Sequence, residues 1–409
     1  MDKRLEEYAR IAVRMGANLQ EGDTMLLRAP VDCAEFARMI VKEAYDAGAK
    51  EVIMGWRDDT ISRLNYLHAA DEVFDSFHEW EKVQYDTLSK GKFVLLTIDA
   101  EDPEALKGVD PERIRRSVKA RMTALKDYSD KLMASEFSWS IVAVPILSWA
   151  KKMFPDLSDD AAMDALWEAI YETMRIDGSG DAVEKWKLHT ARLQEKCDKL
   201  NALDLKQLHY KTELGTDFTV DLPEGAIWCG GADKNKQGID FIANMPTEEV
   251  FTAPQRDSGN GVIAASKPLC LNGTMVEGIR FTVENGKIVK VEADCGLEVL
   301  EKTLEVDEGS RYFGELALVD YDSPISNQNL LYYNTLFDEN ASCHIAFGAA
   351  YPDCVKGAEG KSTEELMEMG LNDSLNHVDF MVGTEKTEIT GITKDGQTVV
   401  IMKDGNFAL

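Results

Sequence analysis

The spacing of apolar residues in the first half of the chain switches repeatedly between strand and helix patterns. Short apolar runs predict strands, and apolar residues that recur at helical spacing predict helices between or after them. The predicted strands cover residues 24–28, 51–56, 92–98 and 139–145, and the predicted helices cover 34–47, 113–132, 159–174 and 181–203. Because helices of this length connect parallel strands through right-handed crossovers, the pattern predicts a parallel sheet with both faces covered.

The period of the pattern changes near residue 205, where alternating apolar and polar positions replace the helical spacing. The alternating segments cover 216–222, 279–293 and 388–402. Asn285-Gly286 and Lys394-Asp395-Gly396 interrupt the last two segments, and both sequences favour hairpin turns. We therefore predict an α/β fold in which an N-terminal parallel-sheet α/β domain, residues 1–205, precedes a β-rich α+β domain, residues 206–409.

Acidic residues dominate the charge of the chain. It contains 73 Asp and Glu residues against 45 Lys and Arg, which gives a formal net charge of −28. Residues 206–409 carry 34 acidic and 16 basic side chains, whereas residues 1–205 carry 39 and 29. A protein that binds the phosphate backbone needs a basic face, so we expect no nucleic-acid partner.

Targeting signals and paired cysteines are missing from the sequence. The longest apolar runs, 93–98 and 141–146, are far shorter than the roughly 20 residues that a membrane-spanning helix needs. The first seven residues are mostly charged, and no secretory apolar region follows them. Seven scattered cysteines form no Cys-x-x-Cys pair. We expect free thiols, a cytoplasmic location and no membrane partner.

A nucleotide-binding regulator is one alternative for an α/β chain. No Gly-x-Gly-x-x-Gly sequence follows the first predicted strand. Gly360-Lys361-Ser362 resembles the end of a phosphate-binding loop, but Val355 stands where that loop requires its first glycine. This alternative would require phosphate affinity in the first domain, where the sequence offers no cradle.

Histidine and carboxylate residues of the second domain suggest metal chemistry. His377 and Asp379 are two residues apart, so in a strand their side chains share a face. Imidazole nitrogen and carboxylate oxygen together suit a borderline divalent metal. The alternative for this segment is a surface pair on a half-exposed strand.

Further candidate ligands interrupt apolar surroundings. His344 follows Glu339 by five residues, while the neighbouring Cys343 is expected to point away from it. Glu315 lies among Phe, Leu and Ala residues, and Glu249 precedes Val and Phe. A buried carboxylate is unfavourable unless a cation or another partner balances it, although Glu315 could also be an exposed edge-strand charge.

Two imidazoles and four carboxylates thus come from one β-rich domain. Such a set can hold two divalent ions about 3.5–4 Å apart, bridged by a carboxylate and a water. The mixture of nitrogen and oxygen ligands favours zinc, cobalt or manganese over magnesium or calcium.

Four long motifs carry a resemblance to a known family. They are Asn-Met-Pro-Thr-Glu-Glu-Val-Phe-Thr-Ala-Pro at 244–254, Gly-Glu-Leu-Ala at 314–317, Glu-Asn-Ala-Ser-Cys-His-Ile-Ala-Phe-Gly at 339–348 and His-Val-Asp-Phe-Met-Val-Gly at 377–383. Over essentially its whole length the sequence resembles peptidase family M29, the aminopeptidase T and aminopeptidase S family.

The resemblance implies a two-metal site in the C-terminal domain and a homodimer. The implied metal ligands are Glu249, Glu315, Glu339, His344, His377 and Asp379. It also implies that Tyr351 assists catalysis, and that Glu249 rather than its neighbour Glu248 is a ligand.

The resulting hypothesis is a metallo-aminopeptidase that hydrolyses the N-terminal bond of peptides with a free amino terminus. A metal-activated water would attack the carbonyl, and Glu315 or an adjacent carboxylate would accept its proton. One alternative is another dinuclear hydrolase such as a phosphoesterase, for which Arg256 and Arg311 are the nearest phosphate clamps in the sequence. A metal-stabilised peptide-binding protein is the other.

Overall fold

The structure is a computed structural model that describes residues 3–271 and 274–409. Its α-helices are α1 (Lys3–Ile11), α2 (Ala34–Asp46), α3 (Asp59–His68), α4 (Glu79–Leu88), α5 (Pro111–Ala124), α6 (Lys126–Met133), α7 (Leu147–Met153), α8 (Asp159–Thr173), α9 (Ala182–Ala202), α10 (Leu297–Thr303), α11 (Thr335–Asp338) and α12 (Thr363–Glu368).

The strands concentrate in the second half of the chain. They are β1 (Thr24–Pro30), β2 (Glu51–Arg57), β3 (Phe93–Asp99), β4 (Ser138–Ala143), β5 (Leu205–Lys211), β6 (Asp217–Asp221), β7 (Cys229–Gly230), β8 (Asp233–Lys234), β9 (Asp240–Phe241), β10 (Asn244–Met245), β11 (Glu249–Thr252), β12 (Asn260–Ala264), β13 (Leu269–Leu271), β14 (Thr274–Val276), β15 (Arg280–Glu284), β16 (Lys287–Glu292), β17 (Phe313–Val319), β18 (His344–Gly348), β19 (His377–Met381), β20 (Glu388–Thr393), β21 (Thr398–Lys403) and β22 (Asn406–Phe407).

The first four strands form the predicted parallel sheet, in the order β2-β1-β3-β4, and β10 extends it beside β4. β1, β3 and β4 are almost entirely buried, as expected for parallel strands with both faces covered. The sequence did not predict β10, because two residues are too few to produce a pattern.

The helix predicted over 113–132 is wrong in one respect. The segment forms two helices, α5 and α6, because Leu125 leaves helical geometry with φ −102° and ψ 15°. Leu125 is buried in the apolar core that packs against the sheet. We attribute the break between α5 and α6 to this packing of the Leu125 side chain. The start of α5 follows the usual rules: Asp110 caps it and Pro111 takes the first helical position.

Most of the later strands form two large antiparallel sheets, while β8-β9 and β13-β14 are two-stranded antiparallel pairs. One large sheet has five strands in the order β19-β18-β17-β11-β7, and the other has eight in the order β16-β15-β12-β6-β5-β20-β21-β22. Aromatic side chains of the two sheets meet in one core, where the ring centroids of Phe281 and Phe380 lie 5.0 Å apart. The predicted hairpin at Asn285-Gly286 is confirmed, with φ values of 49° and 79° in its turn.

The described residues form two compact units. The first comprises the chain up to Ala191 together with Ala232–Thr247 and Leu330–Leu336, and the second comprises Arg192–Gly231, Glu248–Asn329 and Phe337–Leu409. The division into an α/β domain, residues 1–205, and a β-rich domain, residues 206–409, stays a prediction.

All seven cysteines are free thiols, as predicted. Across the described ranges, none of the helices combines the length and the apolar character that crossing a bilayer requires.

Candidate metal centre

Most of the predicted ligands lie on one face of the five-stranded antiparallel sheet. Glu315 on β17 and Asp379 on β19 are both paired with Ala346 of the intervening strand β18, so the two carboxylates share a row. His344 stands two residues before Ala346, and His377 stands two residues before Asp379. Alternation along the strands therefore places all four side chains on the same face.

The opposite face of this sheet packs into the apolar core, and that packing fixes which side chains face the site. Leu316, Ile345 and Phe380 are buried in the core. Val250 is also a core residue, so its neighbour Glu249, the first residue of β11, faces the site. Burial of the apolar residues thus orients the polar ones.

The side chains on this face lie within contact distance of one another. The Nε2 atom of His344 lies 2.9 Å from Oε2 of Glu249 and 4.0 Å from Oε1 of Glu315. The Nε2 atom of His377 lies 3.1 Å from Oε2 of Glu315 and 3.6 Å from Oδ2 of Asp379. The ligand atoms therefore form two groups, Glu249–Glu315–His344 and Glu315–His377–Asp379, and Glu315 belongs to both.

Glu339 and Tyr351 lie at the edge of these groups. Glu339 stands in a short 3-10 turn, buried, and is not a member of either group. Burial and the charges of Asp379 and Glu249 raise the pKa of the Glu339 carboxyl well above its ordinary value. The ring of Tyr351 packs edge-on against His377, with the ring centroids 5.1 Å apart.

Backbone carbonyl groups orient both imidazoles. The Nδ1 atom of His377 lies 2.7 Å from the carbonyl oxygen of Ala349, and Nδ1 of His344 lies 3.2 Å from that of Ser342. A carbonyl oxygen can only accept a hydrogen bond, so each Nδ1 donates and each Nε2 is turned towards the carboxylates. Sequence reasoning missed these partners, because a backbone carbonyl leaves no signal in residue identity.

The electrostatics of the site reflect an excess of negative charge. Burial raises the pKa of Glu315 to about 7, although its hydrogen bond to His377 opposes that rise. Burial would lower the pKa of each imidazole, yet the pKa values of His344 and His377 lie well above the ordinary value, since Glu249 and Asp379 outweigh burial. The carboxylates around them thus favour the charged form of both imidazoles.

The donor set fits divalent metal ions. Four buried or half-buried carboxyl groups lie near two imidazoles, so the site carries more negative than positive charge once these carboxyl groups are ionised. The Oδ1 atom of Asp379 is buried and has no hydrogen-bond partner among the described residues. An unpaired buried carboxylate oxygen is unfavourable unless a cation meets it. Imidazole nitrogens and carboxylate oxygens are the ligands that zinc and its neighbours prefer.

Glu248 and Glu249 give the first prediction. The backbone N–H of Glu248 donates to Oδ1 of Asn340, whereas the carboxylate of Glu249 reaches His344. We expect Glu249→Gln to lower the metal content of the purified protein at least about tenfold, because a ligand is lost, and the matched variant Glu248→Gln to retain it. Elemental analysis measures the metal per chain, and equal metal content in the two variants would contradict the assignment.

Known proteins resemble this chain in sequence and in structure. The family model of the thermophilic metalloproteases, M29, matches residues 1–407. The chain is 43% identical to aminopeptidase AmpS of Bacillus subtilis, over 99% of this chain and 98% of the relative. It is 38% identical to aminopeptidase T of Thermus thermophilus, over 100% of this chain and 99% of the relative. The solved structure of wild-type AmpT from Thermus thermophilus matches with a TM-score of 0.90 at 38% identity, covering 99% of each chain.

The fold and the site define a metallohydrolase, in which an antiparallel sheet presents imidazoles and carboxylates to one point. The chain belongs to the thermophilic metalloprotease family M29. The predicted resemblance, the α/β fold class and the enzyme class of metallo-aminopeptidase are therefore confirmed.

Proposed function

We propose that the protein removes N-terminal residues from peptides with a free amino terminus, using two divalent ions held at the candidate metal centre. The observation that carries this proposal is the position of Glu315, whose two carboxylate oxygens face different imidazoles. A carboxylate shared in this way suits a pair of ions rather than a single one.

The proposed ligands are the six residues named from the sequence. Five of them belong to the two groups that share Glu315, and we assign Glu339 as the sixth because it is buried in a turn that packs against β19, the strand of His377 and Asp379. Zinc, cobalt and manganese all suit this mixture of ligands. When bound, such ions supply Lewis acidity, which polarises a carbonyl group and lowers the pKa of water.

Proton transfer is assigned to carboxylate oxygens of this chain. Glu315, or an adjacent carboxylate, accepts the proton of the attacking water and returns it to the leaving amine. The carboxylates that remain uncompensated attract the ammonium group at the amino terminus of the substrate. Burial of the site strengthens this attraction, since Glu315 is only 4% exposed and little water screens its charge.

Tyr351 is assigned to donate a hydrogen bond to the carbonyl oxygen of the substrate as negative charge develops there. Burial and the charges of Glu315 and Asp379 raise the pKa of Tyr351 well above its ordinary value, so its hydroxyl stays protonated at neutral pH. Its ring packs between Phe251 and His377, with centroid distances of 5.6 and 5.1 Å, and this packing holds the hydroxyl group in place.

Tyr351→Phe is expected to lower kcat by about 10²–10³-fold with the metal content unchanged, because one donor to the developing oxyanion is lost. Hydrolysis of aminoacyl-p-nitroanilides measures kcat, and elemental analysis measures the metal. The control is Tyr45→Phe, which removes a hydroxyl group from the exposed surface of α2. A kcat equal to that of the control would remove Tyr351 from the reaction.

The alternative function of a phosphoesterase is less well supported by the residues near the site. Such an enzyme needs Lys or Arg to clamp the transferred phosphate. Arg256 donates to Asn372 and Asp257 and lies over the ring of Tyr312, 3.8 Å from its centroid. Arg311 has its nearest carboxylate, 3.9 Å away, at Glu305.

Substrate discrimination tests the proposal and separates it from the alternatives. Leucyl-p-nitroanilide, N-acetyl-leucyl-p-nitroanilide and p-nitrophenyl phosphate are offered to the metal-loaded protein. We expect release from the free amine alone. Preferential release from the acetylated compound or from the phosphate ester would overturn the proposal, and binding of a peptide without turnover would favour a binding protein.

The homodimer and the cytoplasmic location stay predictions. Apolar side chains exposed on α3, at Ile61, Leu64 and Leu67, form the kind of surface that a second copy would cover.

A further inference from the structure

A second polar cluster lies in the unit that contains the parallel sheet. Arg28 on β1 donates a hydrogen bond from Nη2 to the hydroxyl oxygen of Tyr85 on α4. Arg121 on α5 donates to the same oxygen from 3.3 Å. The two guanidinium groups lie 5.2 and 5.7 Å from the centroid of the Tyr85 ring. Tyr128 on α6 packs edge-on against Tyr85, with the centroids 4.9 Å apart.

The two guanidinium groups have no acidic partner in the part of the chain that the structure describes. No carboxylate oxygen there lies within 4.0 Å of Arg28 or Arg121. Neighbouring arginines behave differently: Arg116 on α5 pairs with Asp71, and Arg57 on β2 pairs with Glu101. The absence is notable in a chain with 73 acidic residues.

Burial makes this arrangement unfavourable for Arg28. Burial lowers the pKa of the Arg28 guanidinium, the phenols of Tyr85 and Tyr128 oppose that change, and the charges of Arg121 and Arg57 add to it. A half-buried cation that faces another cation and only neutral phenols is poorly compensated. An anion placed between the guanidinium groups would supply the missing charge.

Tyr128 provides an independent indication of a ligand. Its side chain is only 6% exposed, and its hydroxyl group has no hydrogen-bond partner among the described residues. A buried hydroxyl without a partner is destabilising, and native proteins seldom retain one without a reason. Tyr85 accepts hydrogen bonds from both arginines and so keeps its own hydrogen for donation.

Arg28 lies on the strand at which the parallel sheet reverses its direction of winding. The chain runs from β1 outward to β2 and then returns past β1 to β3, so the direction of winding reverses at β1. In doubly wound sheets, ligands bind near the carboxyl ends of the strands at this reversal. Arg28 is the fifth residue of the seven in β1, paired with Gly55 of β2 and Thr97 of β3.

We propose that Arg28, Arg121, Tyr85 and Tyr128 form a binding site for a small oxyanion, either a tetrahedral phosphate-like group or a carboxylate. Two guanidinium groups offer paired N–H donors in the geometry that such anions accept, and two phenols add O–H donors. This site shares no residue with the candidate metal centre. Its charged groups are guanidinium cations, whereas those of the metal centre include four carboxylates.

Anion titration of the full-length, metal-loaded protein tests the site. Sodium sulfate probes tetrahedral anions and N-acetylglycine probes carboxylates, and neither offers the free amine of an aminopeptidase substrate. Calorimetry and thermal denaturation in chloride buffer are expected to show saturable binding of at least one of them. We expect Arg28→Gln and Arg121→Gln each to weaken that binding about tenfold or more, because a charged hydrogen bond is lost.

Tyr128→Phe provides the sharper comparison, because it removes a single oxygen atom. Without the anion this variant is expected to be at least as stable as the parent protein, and with the anion it is expected to gain less in Tm. Arg38→Gln and Tyr45→Phe, both on the surface of α2, are the controls and should bind as the parent does. Absence of saturable binding of either probe below about 10 mM would overturn the proposal. Unchanged affinity in the Arg28, Arg121 and Tyr128 variants would overturn it as well.

Discussion

Glu315→Gln is expected to lower kcat for aminoacyl-p-nitroanilides by about 10³-fold or more and to reduce the metal bound per chain. The carboxylate lies 3.1 Å from His377 and 4.0 Å from His344, so it belongs to both groups of ligand atoms. Glutamine keeps the shape but offers one acceptor oxygen and accepts no proton near neutral pH. General-base catalysis alone contributes typically 10²–10⁴-fold, and loss of metal adds to the effect.

The matched control is Glu301→Gln, which neutralises an exposed carboxylate on α10 in the same unit. It should leave kcat and metal content unchanged. If Glu315→Gln retained full metal and the parent kcat, Glu315 would be neither a shared ligand nor the proton acceptor.

Gly348→Ala is expected to give a large loss of stability, about 3 kcal/mol or more in the free energy of unfolding. Gly348 has φ +110°, which L-residues rarely adopt, and an added Cβ would lie 2.2 Å from the carbonyl oxygen of Asn376. Because Gly348 is paired with His377, relief of the clash would also displace that ligand. Urea denaturation measures the stability, and elemental analysis measures the metal retained.

Gly357→Ala separates the clash from backbone strain. Gly357 has φ +78° in the same unit, but an added Cβ would meet no atom within 4 Å. Its substitution should therefore cost only about 1–2 kcal/mol. Equal losses for the two variants would show that the contact with Asn376 is unimportant.

The core of the candidate site was predictable from sequence because strand geometry is so regular. His377 and Asp379 are two residues apart, and a strand places them on one face whatever its partners are. Glu315 was suspicious because apolar residues surround it, and the structure shows Leu316 and Leu318 packing into the core on the other side of the sheet. Local pattern was sufficient for both inferences.

Other features depend on partners that are distant in sequence. The two-residue strand β10 exists only because β4 offers it a parallel edge. The break at Leu125 follows from packing against residues of other elements. Arg28 and Tyr128 lie one hundred residues apart, and neither shows in sequence that it lacks a partner. The carbonyl groups that orient the imidazoles belong to the backbone of Ser342 and Ala349, and residue identity does not show which backbone carbonyl lies beside an imidazole.

The acidity of the chain has a clearer meaning once the site is located. Residues 206–409, the half with the more negative net charge, contain every proposed ligand. Four of their carboxylates are assigned to the metal centre. Most of the remaining acidic residues are surface charges. A negative field around the centre favours divalent cations and the ammonium groups of peptides over anionic substrates.

Metal removal and stepwise return test the central claim most directly. The purified protein is treated with a chelator, freed of it, and titrated with zinc, cobalt or manganese while the release of p-nitroaniline from leucyl-p-nitroanilide is followed. We expect no release from the metal-free protein and recovery that reaches its plateau at two metal ions per chain. Full activity in the metal-free protein would contradict the account.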